Sequence, residues 1–167
     1  MEPGQVLIYN QTDPELVKLV TAEGGHLRLI PYNLPRHTIE NGVTRVSFGE
    51  QHAALEVFGD HNLLNLHAAK LVCQELGLSD AEFLQAIATF KGAAKRLEVV
   101  AKNGHCVIYR DFAHAPSKVK ATMEATKQQF PRRRLVAVLE LHTYSSLNAE
   151  FLEQYYGALD TADVAAV

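Results

Sequence analysis

Apolar positions along this chain fall into short runs and amphipathic stretches punctuated by glycine, proline and asparagine, a spacing that predicts alternating strands and helices. Val6-Leu7-Ile8-Tyr9 predicts a short buried strand. Asp13-Pro14 supplies an N-cap with proline at the first helical position, ahead of Leu16, Val17, Leu19 and Val20. Gly24-Gly25 ends that helix, and His26 to Tyr32 predicts a second strand. Short connections in such a strand–helix–strand unit point to parallel pairing. Asn41-Gly42 is a hairpin signal, because both central residues of a type I′ turn need positive φ. Thr38 to Phe58 is expected to form a small antiparallel meander, with its third strand from Ala53 to Phe58.

Helical spacing comes next. Asp60 can cap a helix over about 61–76 closed by Gly77, and Ser79-Asp80-Ala81-Glu82 fits a capping box. Phe83, Leu84, Ile87 and Phe90 give this second helix an apolar face, and Gly92 is expected to end it. A fresh α/β pattern begins at Lys95, with a hairpin around Asn103-Gly104 and a helix over about 117–130 opened by Pro116. Leu135 to Leu141 reads as an apolar strand covered on both faces. A helix capped by Ser146 or Asn148 runs to about Tyr156, and Val164 to Val167 begins a last strand. The expected division is 1–92 and 93–167, and a final strand at the chain end implies a missing tail.

Composition narrows the function classes. Hydrophobic residues make up 47% and charged residues 21% of 167 residues, the profile of an ordinary globular protein. A net charge of −3 argues against a nucleic-acid surface. Arg132, Arg133 and Arg134, the only dense basic run, are expected in a solvated loop. No apolar stretch approaches the roughly 20 residues needed to cross a bilayer, and the first residues lack a signal-peptide pattern. No nucleic-acid or membrane partner and a cytoplasmic location are therefore expected. Cys73 and Cys106 are expected as buried free thiols. No zinc spacing, H-E-x-x-H, G-x-S-x-G or G-x-x-x-x-G-K-[ST] motif occurs, and no metal-ligand set is expected in these residues.

Three polar constellations could carry chemistry. In Gly59-Asp60-His61-Asn62-Leu63-Leu64-Asn65, Asn62 and Asn65 are i,i+3 on the first turn of a helix. A carboxamide offers donor and acceptor together, which suits the edge of an adenine ring, whereas the plainer reading is a polar helix start. Asp111-Phe112-Ala113-His114-Ala115-Pro116 lies between a strand and a helix, where ligands of open α/β sheets gather. There Asp111 could accept ribose hydroxyls and His114 could meet phosphate; the plainer reading is a capped loop. His142-Thr143-Tyr144-Ser145-Ser146 follows another apolar run, and its hydroxyls could donate to carboxylate or phosphate oxygens or simply cap a helix.

Together and in this order, these segments resemble the Mur ligase family. Gly59-x-His61-Asn62-x-x-Asn65 with Ala68-Ala69 is similar to its adenine-side helix, and Phe90-Lys91-Gly92 with Arg96-x-Glu98 to the junction into its C-terminal domain. Asp111-Phe112-Ala113-His114-x-Pro116 resembles its D-[YF]-x-H-x-P loop, and His142-Thr143-Tyr144-Ser145 a later loop of the same domain. The runs 109–114 and 141–145 look closest to the murein peptide ligase branch, which joins UDP-N-acetylmuramate to a recycled tripeptide; the UDP-N-acetylmuramate–L-alanine ligase branch stays open. The resemblance implies an α/β fold, the end of a Mur-type central ATPase domain plus a Rossmann-like C-terminal domain, both incomplete. It implies ATP and magnesium (Mg2+), a carboxylate activated as an acyl phosphate, and attack by the amine of an amino acid or peptide. It assigns His61, Asn62, Asn65, Arg96 and Asp111 to ATP, and His114, His142, Thr143, Ser145 and Ser146 to phosphate or substrate.

Departures from the family pattern are plain. The phosphate loop, the magnesium ligands and the UDP-sugar-binding domain have no counterpart here, and Ser146 stands where many relatives carry arginine. The partner implied is the rest of a full-length chain; folate-polyglutamate and cyanophycin ligases are sister readings, and a free-standing nucleotide- or peptide-binding regulatory module is the reading from another class. By itself this chain is expected to release no phosphate from ATP above background in the presence of substrates; clear turnover in a phosphate-release assay would sink that expectation.

Overall fold

Local caps and turns set most element boundaries. The computed structural model describes residues 2–143, 146 and 148–167. They group into two compact units, the first from 2–38, 44–55 and 60–89, the second from 39–43, 56–59 and the described part of 90–167.

In the first unit, β1 (Val6–Asn10) and β2 (Arg28–Tyr32) pair in parallel and are joined through α1 (Pro14–Glu23). The Asp13 carboxylate accepts the N–H groups of Glu15 at 2.9 Å and Leu16 at 3.1 Å, and Pro14, which has no N–H to leave unpaired, opens the helix. β3 (Arg36–Glu40), β4 (Val43–Phe48) and β5 (Gln51–Leu55) form a sheet in that order, of which 39–43 is grouped with the second unit. Asn41 and Gly42 turn the first pair at φ of 53° and 74°, as a type I′ turn demands.

The helices α2 (Asp60–Glu75) and α3 (Asp80–Ile87) complete this unit. Gly77, at φ 92°, closes α2. Its N–H donates to Gln74 O at 2.9 Å and that of Leu78 to Cys73 O at 3.0 Å, the Schellman arrangement. The Ser79–Glu82 capping box is formed in full. Val46, Leu55, Leu63, Leu66, Phe83 and Leu84 make the buried core. Lys70 is buried with them; its ammonium pairs with Asp80 at 3.0 Å and lies 4.6 Å from the Phe48 ring centroid.

In the second unit, β6 (Glu98–Lys102) and β7 (Val107–Arg110) form an antiparallel hairpin. Asn103 holds its turn by accepting the His105 and Cys106 N–H groups, each at 2.8 Å. α4 (Pro116–Gln129) follows, then β8 (Val136–Val138), α5 (Ala149–Leu152) running into a 3-10 turn at Glu153–Tyr155, and β9 (Val164–Ala166), parallel to β8. Phe58 sits edge-on to Tyr109 at 5.5 Å and to Phe130 at 6.0 Å, and Val119, Ala125, Ala137 and Ala158 are buried. Burial raises the Tyr109 hydroxyl above its ordinary pKa.

The structure departs from the sequence expectations at four places. The third strand of the meander ends at Leu55, and α3 ends at Ile87, where the Thr89 hydroxyl takes the Ala86 carbonyl at 2.9 Å. Phe90 is therefore outside the helix and 47% exposed. The 135–141 run contributes three paired residues, and Val136 and Val138 are 59% and 83% exposed while Ala137 is buried. An apolar run is buried on both faces only inside a wide, covered sheet, and among the described residues β8 pairs only with β9. Cys106 is exposed and Cys73 half-buried, because the Asn103 turn keeps Cys106 at the surface.

Gly42 and Gly104 make opposite demands. A Cβ at Gly42 would stand 2.8 Å from Phe130 Cε1 on a backbone already at φ 74°, whereas one at Gly104 would meet nothing within 4 Å. Gly42→Ala is expected to destabilise the chain by about 1–3 kcal/mol in urea unfolding, and Gly104→Ala to change it by less than about 0.5 kcal/mol; equal midpoints would contradict the packing described.

Candidate functional site

The candidate residues fall into separate groups, one on the first unit and the others on the second. On the first unit, α2 starts at Asp60 itself, whose carboxylate sits in the first turn where the helix dipole favours it. Leu63 and Leu66 are buried. His61 and Asn62 are half-buried, and Asn65, one turn further, is exposed. The helix is thus anchored by its leucines while its asparagine amides stay at or near the surface.

On the second unit, Asp111 follows β7 and is half-buried. Its Oδ2 accepts the Leu97 N–H at 2.7 Å, and its Oδ1 accepts the Ala113 N–H at 2.7 Å and the Thr122 hydroxyl at 3.4 Å. Phe112 N–H donates to Lys95 O at 2.7 Å from the same side. The 95–97 turn is therefore clamped to the 111–113 loop, and Arg96, exposed, lies in that turn between the two bonded residues. The clamp holds a costly conformation: Lys95 and Leu97 sit at φ of 58° and 47°, a region that costs a non-glycine residue about 1–2 kcal/mol. Glu98 adds a second tie, accepting the Lys95 N–H at 2.8 Å and the Arg110 guanidinium at 3.1 Å. Those two bonds, the Lys95 N–H first, hold its carboxyl below its ordinary pKa of 4.5.

His114 and His142 meet at a third residue. The exposed Phe112 ring lies 5.1 Å from the His114 imidazole and 6.0 Å from that of His142. Nδ1 of His114 is 2.9 Å from Phe112 O and Nδ1 of His142 is 3.2 Å from Glu140 O, so each ring is oriented by local backbone. The Tyr155 hydroxyl donates to His114 O. Thr143 and Ser146 bond each other: Ser146 Oγ donates to Thr143 O at 2.8 Å and accepts the Thr143 N–H at 3.0 Å. Ser146 is 2% exposed, so its hydroxyl builds the loop. Ser145 lies outside the described residues. Phe112, Tyr155 and Leu97 were not singled out from sequence; Phe112 stood inside a quoted motif, but nothing in residue type or spacing marks Tyr155 or Leu97.

Among the described residues no cluster of three or more His, Cys, Asp or Glu side chains suited to a metal occurs. Nor is any helix among them long and apolar enough to cross a membrane.

The family model for the Mur ligase glutamate ligase domain matches residues 95–167. The UDP-N-acetylmuramate–L-alanine ligase of Lactococcus lactis is 36% identical over 133 residues, 78% of this chain and 30% of that protein. The chain belongs to the Mur ligase family. Its fold is similar to that of UDP-N-acetylmuramate–alanine ligase from Thermotoga maritima, with a TM-score of 0.71 at 18% identity over 96% of this chain and 36% of the other. It is likewise similar to murein peptide ligase from Psychrobacter arcticus, at 0.57 and 17% over 97% of this chain and 36% of the other. The chain thus spans about a third of the length of the relatives it matches. In this Mur ligase chain the matched region begins at Lys95, the first residue of the clamped turn.

The Glu98 tie has a pH signature. Its folded pKa lies below the unfolded value, so its contribution is present above about pH 4.5 and is lost as pH falls through the folded pKa. Glu98→Gln is expected to flatten the acid limb of the stability profile below that pH and leave its slope near neutrality unchanged, as read from urea midpoints between about pH 3 and 7.

Proposed function

We propose that this chain provides part of an ATP-dependent amide ligase that joins UDP-N-acetylmuramate to an amino acid or a recycled peptide, in peptidoglycan synthesis or recycling in the cytoplasm. The observation that supports it most is the Asp111 clamp, which lies within the family-matched region and bonds the residue after an exposed arginine to a carboxylate at the end of a strand. The division of the chain near residues 92–95 into a part of a central ATP-binding domain and a part of a C-terminal ligase domain belongs to the same proposal.

A ligase of this class has to align a nucleotide, a carboxylate and an amine, and to offset the spreading charge of the transferred phosphoryl group. In this reading the Asn65 carboxamide, with Asn62 and His61 on the same turn, reads the edge of adenine. The Asp111 carboxylate keeps lone-pair capacity for a ribose hydroxyl, and the Arg96 guanidinium, exposed on the clamped turn, meets the nucleotide. His114, His142 and Thr143 face phosphate or the incoming amine substrate; Ser146 shapes that loop from inside. No metal-dependent step is assigned to these residues.

Calorimetry with ADP or ATP tests the residue roles. Weak binding is expected, with Asn65→Ala and Arg96→Ala each weakening it by about tenfold. Both side chains are exposed, so neither substitution disturbs a core. Asp111→Ala is expected to weaken binding and also to speed amide exchange at Leu97 and Ala113, because it removes their acceptor. Unchanged affinity in both Asn65→Ala and Arg96→Ala would overturn the assignment.

A further inference from the structure

We infer that Asn103 is a site of spontaneous covalent modification, at which the folded hairpin turn converts its carboxamide into a carboxylate through a cyclic imide formed with Gly104. Both residues are exposed in the turn between β6 and β7. The nucleophile is the backbone nitrogen next along the chain, and the only co-reactant is water.

The turn holds the carboxamide ready for that attack. Asn103 Oδ1 accepts the N–H groups of His105 and Cys106, each at 2.8 Å. The ring closed by the His105 bond contains the Gly104 nitrogen, so the carboxamide is folded back toward the atom that attacks it. Two N–H groups on one carbonyl oxygen also polarise it, and they point at the oxygen that gains charge as the new bond forms. Gly104 leaves the approach open. A Cβ there would meet nothing within 4 Å, and among the described residues no backbone carbonyl holds its N–H. Having no side chain, it also lets its own nitrogen come close to a neighbouring group.

In the first step the Gly104 nitrogen gives its proton to solvent and bonds to Asn103 Cγ. The bond from Cγ to Nδ2 then breaks, and Nδ2 takes up protons and leaves as ammonia. Water next adds to one carbonyl of the imide and breaks one of its two carbon–nitrogen bonds. Opening at Cγ leaves an aspartate, and opening at the backbone carbonyl leaves an isoaspartate whose main chain runs through Cγ. No electrons are gained or lost. Either product adds one negative charge to a chain at −3.

A second Asn-Gly pair in the chain lacks these conditions. Asn41 and Gly42 sit at φ of 53° and 74°. Gly42 O accepts Gln129 Nε2 at 2.8 Å, and a Cβ on Gly42 would stand 2.8 Å from Phe130 Cε1. Closing the imide rotates the backbone between the two residues, and at this turn that rotation breaks a packed and hydrogen-bonded arrangement. The same dipeptide is therefore reactive in one turn and protected in the other.

The test is to age the folded chain at neutral pH in water enriched in heavy oxygen, then read the tryptic peptides 37–45 and 103–110 by mass spectrometry. Asn103 is expected to convert about tenfold faster than Asn41, a barrier difference of about 1.4 kcal/mol, with one heavy oxygen taken up per conversion. In urea the two rates should converge, because only the fold distinguishes two identical dipeptides. Gly104→Ala, for which the turn has room, should slow Asn103 by about tenfold and leave Asn41 unchanged. Equal rates for Asn41 and Asn103 in the folded chain, or an unaltered Asn103 rate in Gly104→Ala, would overturn the inference. None of these outcomes depends on the ligase reading.

Discussion

The Asp111 carboxylate meets donors from a turn before β6, from its own loop and from α4, and the loops of the second unit take their shape from that convergence. Leu97, bulky and at φ 47°, occupies a conformation that an isolated chain rarely visits. A charge-assisted hydrogen bond contributes about 1.5–3 kcal/mol, enough to offset the cost of one such residue. Lys95 is held the same way by Glu98, so two carboxylates keep two strained positions of one turn in place. Arg96 lies between those two positions.

Where chemistry is local, the sequence was legible. The Asp13 cap, the Asn41-Gly42 turn, the Gly77 closure and the Ser79–Glu82 capping box each depend on residues within a few positions, and each forms as the spacing predicts. Parallel pairing of β1 with β2 followed from a short helical crossover, which has few other solutions. The failures concern partners distant in sequence. Whether Val136 and Val138 are covered depends on what stacks on β8, and the run itself carries no record of that. α3 ends at Ile87, ahead of Gly92, because the strong stop signal at Gly92 is preceded by a weaker one, the Thr89 hydroxyl bonded to the Ala86 carbonyl.

The candidate site shows the same division at finer scale. Residue types marked Asp111, His114 and His142 as polar groups near a strand end, and the fold does bring the two histidines onto one ring. That ring, Phe112, is apolar and exposed, a combination that composition reads as unremarkable. Ser146 illustrates the reverse. A hydroxyl in a polar loop suggests a ligand contact, yet burial at 2% with its proton given to Thr143 O makes it a brace for that loop. Only the hydrogen-bond partners separate those roles, and partners are a property of the folded loop.

On the proposed role of Asp111 in holding a ribose, folding and ligand binding share a group. A carboxylate offers about four lone-pair directions, and the Leu97 N–H, the Ala113 N–H and the Thr122 hydroxyl account for part of them, the last from 3.4 Å. A ribose hydroxyl would therefore complete an existing cluster, and would do so without rearranging it. Preorganisation of this kind lowers the cost of binding, because the acceptor is already oriented before the ligand arrives. It also links the equilibria: a ligand that binds only the clamped form stabilises that form by mass action.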